Sequence, residues 1–283
     1  MNETEALRVL TNNLRVFSER GALAESQRAS CMEELILRFC RAEPEQTAQE
    51  RYRAFCRLVP DATPEDKAEL CRALAPRLKA DRFGMEKGSV AGIRGRIALV
   101  RNQYTEEAFS CFSDILIGAK PYYPSSFAEV CEEVFDHRCE FGILPIENTQ
   151  DGRLFGFYGM LNRYELRICA DCALETEDPS GILRFALIGR HLPERLPRVK
   201  RWNLECSITA DRDSFPADLP RIAPRFGAKL EKIDSLPVLY DDNRSRFYFT
   251  FRLPREEAVA FDLYLTMEHS FYAPLGHYPS LTE

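Results

Sequence analysis

The spacing of apolar residues changes twice along this chain, and those changes limit the architectures open to it. Leu7, Leu10, Leu14 and Phe17 recur at intervals of three and four, which sets them on one face of a helix. No Pro occurs before Pro44, so the pattern predicts one long helix running to about Cys40. A second helical stretch holds Tyr52, Phe55, Cys56 and Val59 and stops at Pro60. A third opens with Thr63 as N-cap and Pro64 at the first helical position. Leu70, Leu74 and Leu78 line its buried face, and Pro76 shortens or kinks it. Read from periodicity alone, this is a small helical dimerisation module over 1–85.

Past Gly84, Gly88, Gly92 and Gly95, strands and helices alternate. Strands are expected at 97–100, 141–146 and 165–169, with helices at 106–112, 127–135 and 154–161. That alternation is the signature of parallel α/β structure. The last 80 or so residues change again. Strands at 203–210, 230–240, 246–253 and 271–275 enclose helices at 219–226 and 256–268, with Gly227 ending the first. Asp241-Asp242-Asn243 is read as the turn between the two middle strands. The order is βαββαβ, a ferredoxin-like arrangement. The expected fold is therefore a multidomain α+β chain with an α/β segment: modules over 1–85, 93–190 and 200–283.

Composition narrows the function classes. The 283 residues are 45% hydrophobic and carry a net charge of −6. The charge argues against a nucleic-acid binder, which needs a surplus of Lys and Arg. It also gives no long-range steering of dianionic substrates. The 10 Cys form no dense framework and read as reduced thiols of a cytoplasmic protein. No apolar run reaches the ~20 residues of a membrane helix, and the acidic start is no signal peptide. Cys169-Ala170-Asp171-Cys172 is a lone pair without further ligands, so neither a metal nor a cofactor is expected. The four His form no motif, and Trp202 reads as packing at a domain junction.

Three segments carry a family resemblance. Gly142-Ile143-Leu144-Pro145-Ile146-Glu147-Asn148-Thr149, followed by Gly152, resembles the prephenate dehydratase signature. There a strand end presents polar side chains to a cleft, and a helix N-terminus offers N–H groups to a carboxylate. The stretch from Gly227 to Pro237 resembles the family's regulatory ACT domain at its Glu-Ser-Arg-Pro motif, and Leu275-Gly276-His277-Tyr278-Pro279 resembles its closing segment. Glu19-Arg20-Gly21-Ala22-Leu23-Ala24 is similar to the long first helix of the chorismate mutase found in bifunctional members. The resemblance implies an aromatic-pathway protein, a homodimer, and phenylalanine or a related carboxylate as ligand. It puts Glu147, Asn148, Thr149, Gly152 and Arg153 at the ligand site, Asp234 and Ser235 at the ACT ligand site, and Arg20 with Arg28 in the mutase-like site.

The departures are as informative as the matches. The mutase's further Lys falls at Cys31 and its early Arg near Glu3, so mutase activity is not expected. The dehydratase's Gly-rich opening loop is replaced by Leu99 to Thr105. Its Thr-Arg-Phe motif, whose hydroxyl assists the leaving hydroxide, has two placements. One is Leu183-Arg184-Phe185, which lacks the hydroxyl and leaves no room for the family's second lobe. The other is Ser245-Arg246-Phe247, which keeps it but leaves no ACT domain. Three readings follow: a non-catalytic relative that binds an aromatic amino acid and regulates, a working dehydratase using Ser245, and a structural interaction protein that no aromatic amino acid stabilises.

Overall fold

The structure is a computed structural model. It describes residues 3–18, 23–41, 46–78, 95–148, 152–176, 181–191, 193, 199, 202–211, 215–238 and 241–282. Residues 79–94, with Gly84, Gly88 and Gly92, and the segment 19–22, including Arg20, lie outside them.

The N-terminal region holds helices α1 (Glu3–Ser18), α2 (Leu23–Arg41), α3 (Ala48–Leu58) and α4 (Pro64–Leu74). The single long helix is corrected to the pair α1 and α2, folded against one another. The Cys31 thiol donates to the Leu10 carbonyl at 3.4 Å. In one continuous helix those residues would stand ~30 Å apart. Gly21 lies in the interval, and glycine costs a helix interior about 1 kcal/mol relative to Ala. Thr47 with Glu50 and Thr63 with Asp66 form capping boxes for α3 and α4. Arg51, buried at the start of α3, donates to the carbonyls of Phe39 and Cys40 and so satisfies the end of α2.

The middle of the chain builds one sheet from β1 (Arg96–Ala98), β2 (Lys120–Tyr122), β3 (Phe141–Asn148), β4 (Gly152–Arg153), β5 (Arg167–Glu175) and β6 (Ile182–Gly189). The order is β2-β1-β3-β6-β5, with β4 paired to the end of β3. The three expected strands of this segment share one direction, but the purely parallel sheet is corrected by a further strand, β6. β2, β1, β3 and β5 all run in one direction, and β6 stands between β3 and β5 antiparallel to both. The reason is the short connection over 176–181. A parallel return needs a crossover of a dozen residues or more. Helix α5 (Gln103–Phe112) covers one face of this sheet, while α6 (Phe127–Phe135) and α7 (Phe155–Arg163) cover the other.

The C-terminal region runs β7 (Trp202–Asp211), α8 (Leu219–Ile222), β8 (Lys229–Val238), β9 (Asp241–Arg252), α9 (Ala258–Glu268) and β10 (Tyr272–Pro279). These strands form an antiparallel sheet of order β10-β7-β9-β8. Gly227, with φ +63°, closes the 3-10 turn that follows α8. Asp241, Asp242 and Asn243 are not a turn: they open β9, because Val238 already pairs with Asp241.

Two contacts hold the regions together. One core joins the N-terminal helices to the helical side of the second sheet, through Leu35, Phe55 and Leu74 with Phe249, Phe251 and Phe261. Fully burying each such side chain contributes roughly 1.5–3 kcal/mol. Glu268 of α9 accepts from Tyr52 and Lys67 at 2.8 and 2.7 Å, which fixes the same junction. The opposite side of the second sheet packs on α7 and the first sheet. There Tyr158 stacks on Tyr248 at 3.8 Å, and the hydroxyls of Tyr158 and Tyr278 both donate to buried Glu205. Residues after β10 continue beside β5, where the Leu281 N–H donates to the Asp171 carbonyl at 2.9 Å. Trp202 is buried at the start of β7, with Arg255 over its ring and His277 beside it.

Candidate functional site

The strand β3 is apolar from Phe141 to Leu144 and turns polar at its end, where Glu147 and Asn148 emerge half-buried. β4 folds back on that end, pairing Gly152 with Asn148 and Arg153 with Glu147. β6 lies on the other side and sets Arg184 level with Glu147 and Leu183 level with Asn148. The backbone thus brings Glu147, Asn148, Gly152 and Arg153 together. Thr149 and the Arg153 side chain lie outside the described residues.

Two cations meet the carboxylates there. Arg184 makes an ion pair with Asp171 of β5, which is 1% exposed. Burial works against the Arg184 charge, but Asp171, helped by Tyr278 and Glu147, outweighs it and raises its pKa. Lys232 reaches over from β8 and donates to Glu147 at 3.0 Å. The polar strand end is therefore charge-compensated by the chain itself, and one of its cations comes from the other sheet. Leu183 places a methyl-bearing side chain, not a hydroxyl, in the row beside Asn148.

The other expected residues are distributed differently. Asp234 and Ser235 are neighbours on β8 and so point to opposite sides. Asp234 is half-buried on the face that carries Lys232 and Leu236. Ser235 is exposed and pairs with Phe247, against which Phe215 packs edge-on at 5.4 Å. A single ligand on one face of β8 does not meet both. Ser245 sits on β9 opposite Ala210 and Pro237. Alternation puts it on the face of Phe247 and Phe249, whose rings join the helix-side core. That face is turned away from Glu147. Arg246 is on the other face and donates to the Thr209 hydroxyl at 3.3 Å. Arg28 is bound through Nη1 and Nη2 to Asp66 of α4, and that hydrogen bonding foremost raises its pKa.

The stretch 172–243 does not fold as a separate α/β lobe. It supplies the end of β5 and β6 to the first sheet, and β7, α8 and β8 to the second region. Cys169 and Cys172 are buried free thiols on β5, both pushed up by burial. No group of three or more His, Cys, Asp or Glu that could hold a metal occurs among the described residues. No helix among them is long and apolar enough to cross a membrane. The sequence reading missed Asp171 and Lys232. Asp171 stood in a segment read for its cysteines, and Lys232 in one read for Asp234 and Ser235.

The family model for prephenate dehydratase matches residues 101–178. This segment is prephenate dehydratase-like. It runs from the start of the loop before α5 to just beyond β5, and stops before β6. Solved structures extend the likeness. A prephenate dehydratase from Streptococcus mutans is 21% identical with a TM-score of 0.53, over 66% of this chain and 98% of that one. A prephenate dehydratase from Arthrobacter aurescens in complex with L-Phe is 14% identical with a TM-score of 0.50, over 65% and 90%. GqqA, described as a novel type of quorum quenching acylase, is 19% identical with a TM-score of 0.51, over 65% and 94%. At these identities the likeness is one of fold. No curated protein matches the chain. The dehydratase-like segment contains β3 and its polar end, where Glu147 and Asn148 stand.

Proposed function

We propose that this chain is a prephenate dehydratase-like protein of aromatic amino-acid metabolism that has lost the dehydration chemistry. It binds an aromatic amino acid or related carboxylate and acts by regulation. The observation that carries this reading is the pairing at the strand end. Arg184 is held by Asp171 and Lys232 by Glu147, while Leu183 offers no hydroxyl to a leaving group. Loss of hydroxide from prephenate needs a proton donor beside the breaking bond and cations for two carboxylates. Here the described cations of the strand end are already engaged with carboxylates of the chain.

The C-terminal region supports the regulatory half of the reading. The β-α-β-β-α-β order and the strand order β10-β7-β9-β8 suit an ACT-like domain over 200–283. The aromatic surface of Phe215 and Phe247 beside Ser235 suits an aromatic side chain there. The Arthrobacter relative solved with L-Phe makes phenylalanine the first ligand to test. The resemblance also makes a homodimer the expected assembly. β8 is an edge strand with one neighbour and is its available partner surface.

The test is conversion of prephenate to phenylpyruvate by the purified protein, with and without phenylalanine. The expected result is no turnover, together with a rise in melting temperature when phenylalanine is added. Turnover that phenylalanine modulates would overturn the reading and reinstate a working dehydratase. Neither turnover nor a thermal shift with any aromatic amino acid would leave a structural interaction protein.

A further inference from the structure

A groove of about 950 Å³ runs between α2 and α4, away from the dehydratase-like segment. Its floor on α2 is a helical stripe in which Met32 and Ile36 turn into the core while Ala29 and Leu37 stand exposed, and Ala73 of α4 faces it. Leu37 is 45% exposed and forms the open edge of that stripe. The rim is acidic: five carboxylates line the groove against three guanidinium groups. Pairing removes charge from both sides. Arg28 is bound by Asp66, and Arg72 is shared by Glu69 and Glu257. Arg221 also holds Glu65, which leaves Glu25 and Glu33 against Arg225. Glu25 and Glu33, exposed on the α2 side, make no ion pair among the described residues.

The geometry points to this groove as a docking surface for a basic amphipathic helix of a partner protein. A trough between two helices takes a third by the packing that joins the first two, with apolar side chains of the incomer spaced at i, i+3, i+4 and i+7. Charge selects the occupant. A dicarboxylate such as a mutase substrate is repelled by the rim, whereas Lys and Arg flanking an apolar stripe are attracted to it. A second copy of this chain is disfavoured by the same residues. A two-fold contact through α2 sets the Glu25 and Glu33 carboxylates of one copy against those of the other. This inference does not depend on the reading of the dehydratase-like site.

Two dye-labelled peptides of about 18 residues serve as probes, both with leucine at helical spacing, one with lysine elsewhere and one with glutamate. Anisotropy at about 150 mM salt measures binding to the intact chain. The lysine peptide is expected to bind and the glutamate peptide not. Leu37→Ser combined with Glu33→Lys, both at exposed positions, should weaken binding at least ~10-fold. Glu107→Lys, on the exposed side of α5, should leave it unchanged. A nitroxide on the lysine peptide should broaden amide resonances of α2 and α4 in the unaltered chain, a readout that does not depend on the variants folding. Equal affinity for both peptides, broadening elsewhere, or an unchanged affinity in the double variant would overturn the proposal. So would concentration-dependent self-association that the double variant abolishes, which would assign the groove to a second copy.

Discussion

Lys232 and Glu147 lie 85 positions apart and meet at 3.0 Å, joining the strand end of one sheet to an edge strand of the other. The pair is only partly screened from water, so its direct contribution is modest, about 1 kcal/mol or less. Glu205 is a different matter. It is 1% exposed and accepts from the hydroxyls of Tyr158 and Tyr278. Tyr278→Phe removes one donor and leaves the carboxylate under-satisfied in the interior. The expected loss is about 1–3 kcal/mol, read by urea denaturation. His277 sets a pH dependence. Burial, with Arg255 nearby, lowers its pKa from 6.5 to about 3. The folded protein therefore holds it neutral while the unfolded chain protonates near 6.5. Its stabilising contribution is complete above that value and is lost as pH falls from 6.5 towards 3, by up to about 1.4 kcal/mol per pH unit. His269, also lowered by burial but opposed by Asp218 and Glu268, adds to the same loss. Thermal denaturation of His277→Gln across this range should show a shallower acid slope than the parent.

At the scale of elements, α4 shows how local signals and distant partners combine. Thr63 caps it and Pro64 opens it, as the spacing predicts. Asp66 completes the capping box and also receives Arg28 from α2. Thr63→Ala should cost about 1 kcal/mol by loss of the cap alone. Asp66→Ala should cost more, because the cap is lost and a half-buried guanidinium is left without its carboxylate. Chemical denaturation of the two variants separates the effects. The elements themselves were largely legible, since periods of 3.6 and 2 report which face is buried. What those periods do not report is the direction of a strand. β6 holds an apolar run, Phe185 to Ile188, after the turn-favouring residues Asp178-Pro179-Ser180-Gly181, and its antiparallel course depends on the short length of 176–181. The split between Asp234 and Ser235 was available from alternation, since adjacent strand residues cannot share a face. Glu147 and Asn148 were singled out through the resemblance of 142–149 to the dehydratase signature, and that segment forms the polar end of β3. Asp171 and Lys232 were not, because their roles depend on register between strands distant in sequence.

For the whole molecule, the boundaries drawn along the sequence do not coincide with the cores. The helices over 3–78 bury Phe55 and Leu74 against Phe249, Phe251 and Phe261, so the first and third regions share one interior. A chain begun at Gly95 would expose those phenylalanines in a contiguous patch. It should bind a hydrophobic dye and lose cooperative melting, whereas the intact protein should melt with both regions in one transition. Periodicity predicted the helices but could not reveal that their apolar faces had a partner 200 or so residues away, because amphipathicity names a buried face and not what buries it. Gly276 also has a consequence for synthesis. A Cβ there would overlap the Ile168 carbonyl, so β10 lies against β5 at a distance only glycine allows. β5 is the last strand of its sheet, and its outer edge is closed by Ser280 and Leu281. On a ribosome that edge waits open through the making of more than a hundred further residues. It offers nascent chains a free row of amides, and it makes the window between β5 and β10 the period of greatest exposure to mispairing.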